Sequence, residues 1–303
     1  MPMKIARTPE ARFANLPGFP FEPHYLTVTD DGGTDIQVHY LDEGPNDGDV
    51  ILLMHGNPTW SYLYRKMIPG LVAAGKRAIA VDLVGCGRSD KPAKRSYYTQ
   101  ARHVDWMLKW FDGMGLQDVT LFCQDWGGTI GLHLVARRPE AFARVIVSNS
   151  GLPMGKGGTR VIKLWQTMMK FAWAFPLRKA MSRALMVELS EEEWRAYKAP
   201  FGSMKLESAI MSFPGLLGLT SDNPSVDGNR EAMAKLRQFE KPFLTIFGAK
   251  DPMSRGSNGL RKAIPGAAGQ DHQIYPDAGH FIQEDAPEAL VRDILAFMAA
   301  PAK

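Results

Sequence analysis

VTLFCQDWGG, residues 119–128, is an apolar run that stops at Asp125 and passes through Trp126 into Gly127, Gly128 and a helix-forming segment. A buried strand followed at once by small residues predicts a sharp strand-to-helix elbow. Such an elbow lifts its central side chain above the edge of a sheet. The side chain lifted here is a carboxylate. A serine in that place suits attack on an acyl carbon but needs a base to take its proton, whereas a carboxylate is already ionised at neutral pH and attacks directly. Its natural target is an electrophilic sp³ carbon, and the product is an alkyl ester of the protein. Hydrolysing that ester requires an activated water, so the chain should also carry a histidine base and an acid to orient it.

Both are present in a consistent order. After the apolar run Pro242 to Gly248, Asp251 lies just beyond a predicted strand; later, Asp277-Ala278-Gly279-His280-Phe281 sets His280 in a glycine-containing loop before the last helix. An aspartate or a histidine in a loop means little alone. Nucleophile, acid and histidine, each at a strand exit and in that sequence, follow the α/β-hydrolase chain order.

The surrounding pattern agrees. Thr34 to Leu41 alternates as an antiparallel strand does, while Val50 to Met54, Ala78 to Val81, Val119 to Phe122 and Val145 to Val147 read as buried strands. Tyr62 to Ala74, Gln100 to Met114 and Thr129 to Arg138 have helical composition and spacing. This β-α-β rhythm predicts an α/β protein with a mostly parallel sheet flanked by helices, and ligands beyond the carboxyl ends of its strands. The rhythm breaks after Ser150. From about Leu152 to Asn229 the chain turns helical and rich in Met and Trp, with Pro176, Pro200, Pro214 and Pro224 as punctuation. We therefore expect a core domain of residues 1–151 and 230–303 and an inserted helical cap of residues 152–229. Leu164, Met168, Phe171 and Phe175 recur at helical spacing and are expected to pack inside the cap or to roof the pocket, since a cap that covers Asp125 must show apolar residues to it. Glu191 to Glu193 and the pair Arg178 and Lys179 are expected to be solvated.

At 303 residues with 45% hydrophobic side chains, the chain can bury a large core. Its net charge of +4 is spread thinly, which is no footprint for nucleic acid. There is no zinc-type Cys/His spacing and no phosphate-binding loop, so neither a metal nor an organic cofactor is expected. Cys86 and Cys123 read as reduced, structural thiols. The first residues lack the apolar core of a signal peptide, and no run approaches the ~18 apolar residues of a membrane span. The expectation is a cytoplasmic protein with neither membrane nor nucleic acid as partner.

At these residues the chain resembles the haloalkane dehalogenases of the α/β-hydrolase superfamily. The resemblance runs over nearly the whole length: Arg7-Thr8-Pro9, Phe13 to Tyr25, His55-Gly56-Asn57-Pro58-Thr59-Trp60-Ser61, Gly85 to Pro92, Gln124 to Gly128 and Ala199-Pro200-Phe201. Asp125 followed by Trp126, with Asn57 after His-Gly, is its most specific part. It implies that Asp125 displaces halide from a small apolar haloalkane and that His280, oriented by Asp251, activates water to release a primary alcohol. It further implies an oxyanion hole from the backbone N–H groups of Asn57 and Trp126, and halide held by the indole of Trp126. A halide leaving water for an apolar pocket needs a second donor. Some relatives use the side chain at the position of Asn57, others a cap tryptophan; this chain has Asn57 and, in the cap, Trp165. Trp173 and Trp194 compete less well, as packing residues.

His55 reads as turn architecture, Asp82 as a turn former, and Trp60 and Tyr64 as anchors of the first helix. The main rival is an epoxide hydrolase, which resembles this chain in its elbow aspartate but would place two cap tyrosines over it. The cap offers only Tyr197. A fluoroacetate dehalogenase would follow the nucleophile with arginine, where Trp126 stands. A silent binding protein on the same scaffold would have no need of the full Asp125, Asp251 and His280 set.

Overall fold

The computed structural model describes residues 3–156, 160–253 and 258–300. Residues 157–159 of the expected cap and 254–257 of the expected core thus lie outside the described residues. The strands are β1 (Ile5–Ala6), β2 (His24–Thr29), β3 (Asp35–Glu43), β4 (Val50–Met54), β5 (Arg77–Val81), β6 (Lys91–Pro92), β7 (Val119–Gln124), β8 (Phe142–Ser148), β9 (Phe243–Gly248) and β10 (Gln273–Tyr275). β1 and β6 pair with each other; the rest form one eight-stranded sheet in the order β10-β9-β8-β7-β4-β5-β3-β2. β2 pairs antiparallel with β3 and β3 antiparallel with β5, and the remaining pairings of this sheet, from β5 through β4, β7, β8 and β9 to β10, are parallel. The continuous apolar runs of β4, β7 and β9 suit strands covered on both faces, and all three are almost wholly buried.

In chain order the helices are α1 (Ile68–Ala73), α2 (Gln100–Met114), α3 (Asp125–Arg137), α4 (Arg160–Phe171), α5 (Leu177–Ser182), α6 (Glu191–Lys198), α7 (Ser208–Leu216), α8 (Ser225–Leu236), α9 (Asn258–Ala263), α10 (Ile282–Asp285) and α11 (Pro287–Ala299). Among the described residues no helix is long and apolar enough to cross a membrane. α2 matches its sequence signals at both ends: the Thr99 side chain accepts from the Arg102 N–H, and Gly115 closes the helix at φ 63°. The helix expected over Tyr62 to Ala74 is corrected. A 3-10 turn covers Ser61–Tyr64 and α1 begins only at Ile68. Pro69 explains this, because a residue without an N–H sits in the first turn of a helix and not in its interior.

Between β8 and β9 the chain runs through α4 to α8. The expected boundary between residues 229 and 230 falls inside α8, which packs on α3. A second correction concerns α4. The helix ends at Phe171, short of Phe175, which is buried, whereas Leu164, Met168 and Phe171 are exposed. Periodicity identified the helix and its apolar stripe, yet it cannot tell which side meets protein.

Charge ties this helical insertion to the core. Arg65, buried at the end of the 3-10 turn Ser61–Tyr64, donates to Glu284 of α10 and, at 2.5 Å, to Glu193 of α6. Tyr197 of α6 also donates to Glu284, and Lys66 lies 2.9 Å from it. Glu193 closes a capping box with Ser190 while reaching Arg65, so it is not a purely solvated member of the acidic run. Removing one member of a buried ion cluster leaves the others uncompensated. We therefore expect Arg65→Met to lower unfolding free energy by about 3 kcal/mol, measured in urea, with part of the loss recovered in Arg65→Met/Glu284→Gln.

Candidate active site

The elbow between β7 and α3 puts Asp125 at φ 52°, in the left-handed region that few side chains other than glycine occupy. The turn is thus made by Asp125 itself, a strained geometry of the kind found at reacting side chains. The glycines have another role. A Cβ at Gly127 would stand 2.1 Å from the Met54 carbonyl oxygen, and one at Gly128 would stand 2.2 Å from Ser150 Oγ. Their smallness lets α3 start hard against the exit of β4. Ser150 Oγ donates to the Asp125 carbonyl at 2.6 Å and holds the elbow from the β8 side.

Asp125, Asp251 and His280 meet beyond the carboxyl ends of β7, β9 and β10. His280 Nδ1 lies 2.9 Å from Asp251 Oδ2, and its Nε2 lies 3.4 Å from Asp125 Oδ2. The Asn57 N–H donates to the other oxygen, Asp125 Oδ1, at 2.8 Å. One carboxylate oxygen is therefore pinned by a backbone donor while the other faces the imidazole. Asp251 accepts from the Asn149 amide at 2.7 Å and the Met253 N–H at 2.7 Å. Burial alone would raise its pKa, but His280 and these donors hold it below the usual carboxylate range. Burial likewise disfavours protonated His280, yet the charges and hydrogen bonds of Asp251 and Asp125 outweigh it and raise the histidine to about 10.

A cavity of about 230 Å³ opens above Asp125, lined by Asn57, Trp126 and His280 from the core and by Trp165, Phe175 and Leu217 from the insertion. The Trp126 ring packs against Phe213 with centroids 4.9 Å apart, and Trp165 packs edge-on against Phe175 at 5.6 Å. Neither Trp173 nor Trp194 reaches the cavity: the first is exposed and the second is buried beside Tyr197. Tyr197, the cap tyrosine of the rival reading, does not line it either, and its hydroxyl is committed to Glu284.

The family described as alpha/beta hydrolase fold matches residues 49–287. A haloalkane dehalogenase of Psychrobacter cryohalolentis is 46% identical over 298 residues, covering 98% of each chain, and one of Mycobacterium marinum is 43% identical over 97% of this chain and 100% of its own. The chain belongs to the haloalkane dehalogenase family. The tetrameric haloalkane dehalogenase of Paraglaciecola agarilytica superposes with a TM-score of 0.88 at 31% identity, over 99% of both chains. Against such haloalkane dehalogenases the likeness extends through the helical insertion as well as the sheet.

Other residues singled out in the sequence serve the frame. His55 bonds the Gly56 carbonyl at 2.8 Å through Nδ1 and accepts from the Leu83 N–H through Nε2 at 3.0 Å, and burial lowers its pKa. Asp82 accepts from the Ser61 and Arg88 N–H groups at 2.7 and 2.8 Å, knitting two loops together. Trp60 and Tyr64 are fully buried anchors. One contributor went unnoticed in the sequence. Asn149, at φ 44°, donates to Asp251 and to the Gly279 carbonyl and accepts from the Gly248 N–H, so it joins the acid, the histidine loop and β9. Its only sequence signal was a polar residue at a strand exit, where α/β sheets place their sites.

Proposed function

We propose that this protein hydrolyses carbon–halogen bonds of small haloalkanes through an alkyl ester of Asp125. The observation that carries the reading is the carboxylate of Asp125 on the elbow, facing an apolar cavity and aligned with His280. Asp125 Oδ2 attacks the carbon bearing the halogen; a C–O bond forms, the C–X bond breaks and halide leaves. Esterification removes the negative charge of Asp125 and with it part of what raises the His280 pKa. The neutral imidazole, which can take a proton, thereby becomes more accessible at the stage that needs it. Water gives a proton to His280 and adds to the ester carbon, and Oδ1, already beside the Asn57 N–H, becomes the oxyanion. The Trp126 N–H, at the start of α3 where helical N–H groups lack internal partners, completes that hole. Collapse releases the alcohol, so haloalkane and water give alcohol, halide and a proton. Residues 152–229, with α8 crossing their end, act as the cap that keeps this chemistry dry.

Purified protein is expected to release bromide from short primary bromoalkanes, with alcohol in equal amount and no added metal or cofactor. Diol formed from epoxides with no halide released from any haloalkane would turn the assignment to the rival. The two free, buried cysteines support a cytoplasmic setting.

For the halide, we assign donation to the indole N–H groups of Trp126 and Trp165, with Asn57 contributing at least its backbone N–H. Both rings line the cavity, and Trp165 alone among the cap tryptophans does so. Trp165→Phe keeps aromatic bulk and removes the donor. It should slow alkylation by roughly 10²-fold, as the loss of an oxyanion donor does, and weaken bromide quenching of tryptophan fluorescence. If Trp165→Phe keeps both properties and Asn57→Ala loses them, the Asn57 side chain is the second donor.

A further inference from the structure

Helix α4 has two faces with different surroundings. Ile162, Trp165 and Gln166 line the cavity. Leu164, Met168 and Phe171, spaced i, i+4 and i+7, form a stripe on the opposite side and are 62%, 56% and 73% exposed. Trp173, just past the helix end, is 84% exposed. Scattered exposed apolar residues are ordinary, but a row of large ones marks a contact surface. The row stands on an anchored helix. The Arg95 guanidinium donates to the Met169 and Ala172 carbonyls at 2.7 and 3.3 Å and to the Met211 carbonyl of α7 at 2.9 Å.

Charge decides what fits against it. Every charged residue between 152 and 187 is Lys or Arg. Lys163 and Lys170, seven residues apart and both exposed, lie along one flank of the stripe, and Lys179 of α5 is exposed nearby in sequence. None of these three lysines makes an ion pair among the described residues, whereas Arg178 is matched by Glu191. An apolar stripe flanked by lysines, with Phe and Trp at one end, is the pattern of a helix that lies in a bilayer interface. A second copy seated face to face on the same patch would bring like charges together, which disfavours it.

We propose that α4 and Trp173 dock this protein on the surface of an anionic phospholipid bilayer. Leu164, Met168, Phe171 and Trp173 enter the headgroup boundary, and Lys163, Lys170 and Lys179 face lipid phosphates. The expectation of no membrane partner rested on the lack of a spanning segment, which says nothing of a helix lying on the surface. The inner face of the same helix lines the cavity, so docking sets that cavity next to the phase in which an apolar substrate concentrates. The docking itself does not depend on the chemistry at Asp125.

Flotation of the whole protein with vesicles tests this, using phosphatidylcholine alone and phosphatidylcholine with about one-third phosphatidylglycerol. The protein is expected to float with the anionic vesicles only, to be released by salt, and to show a blue shift of tryptophan emission when bound. Lys163→Glu/Lys170→Glu and Phe171→Gln/Trp173→Gln should each lower partitioning by about tenfold or more. All four residues are exposed and none lines the cavity. Far-UV circular dichroism and bromide release from a dissolved bromoalkane, within about twofold of the parent, therefore report that the variants are folded. Absence of binding to anionic vesicles, or binding that both variants leave unchanged, overturns the proposal. So does a concentration-dependent dimer in light scattering that Phe171→Gln/Trp173→Gln abolishes, which would give the face to a second copy of the chain.

Discussion

Asp125→Asn is expected to stop halide release, lowering single-turnover bromide formation by roughly 10⁴-fold or more, on the scale seen when a nucleophile is removed from a catalytic set. The substitution is nearly isosteric, and its amide oxygen can still accept from the Asn57 N–H that now bonds Asp125 Oδ1 at 2.8 Å. What is lost is an anionic oxygen able to displace halide, so folding and chemistry are separated. Asp125→Ala runs beside it, because slow hydrolysis of the new amide would restore the carboxylate. Rapid mixing with a bromoalkane, followed by ion chromatography for bromide and mass spectrometry for the protein, gives the answer. Bromide release at the parent rate by either variant, or an alkyl group on another residue, would remove Asp125 from its role.

His280→Phe is expected to do the opposite to the intermediate. Alkylation should persist, because a carboxylate needs no base, while hydrolysis of the ester should fall by roughly 10⁴-fold and leave the alkyl group on Asp125. Intact-protein and peptide mass spectrometry would find it there. A folded variant that turns over normally would dismiss His280 as the base. The parent protein offers a matching pH test. Asp251 and Asp125 together raise His280 to about 10 in the free protein. Esterified Asp125 carries no charge, so the histidine must titrate lower in the alkyl-enzyme, since fewer anions favour its protonated form. Dealkylation should therefore rise with pH and reach its plateau at a lower pH than the histidine titrates in the free protein. A plateau displaced upward would contradict the geometry.

Much of this was legible in the chain. The elbow at 119–128 announced a carboxylate raised above the sheet, because a strand, an acidic residue and two glycines in that order make a sharp turn into a helix. Strand positions came from apolar runs that only a sheet covered on both faces can bury, and β4, β7 and β9 sit where those runs do. Asp251 and His280 were readable for a similar reason, since strand exits in a parallel sheet all open on one edge. The two glycines permit the elbow as expected, and they do so by taking up little room: φ 52° belongs to Asp125, and Gly127 yields space to the Met54 carbonyl.

The sequence by itself determined the central strands, the order of the sheet-and-helix rhythm and the kind of chemistry, because periodicity, small residues at turns and ionisable groups at strand exits are local properties of the chain. Tertiary structure alone decided everything that depends on approach between distant segments. Asn149 reaches Asp251 across 102 positions. Arg65 binds Glu193 across 128 positions, so a residue of the acidic run is a tie to the insertion and not only solvent-facing charge. Trp165, not Trp173 or Trp194, borders the cavity. The apolar stripe of α4 faces outward because the helix has Ile162, Trp165 and Gln166 turned to the cavity. A helical pattern specifies that one face differs from the other, and only the neighbours packed around it fix which face is buried.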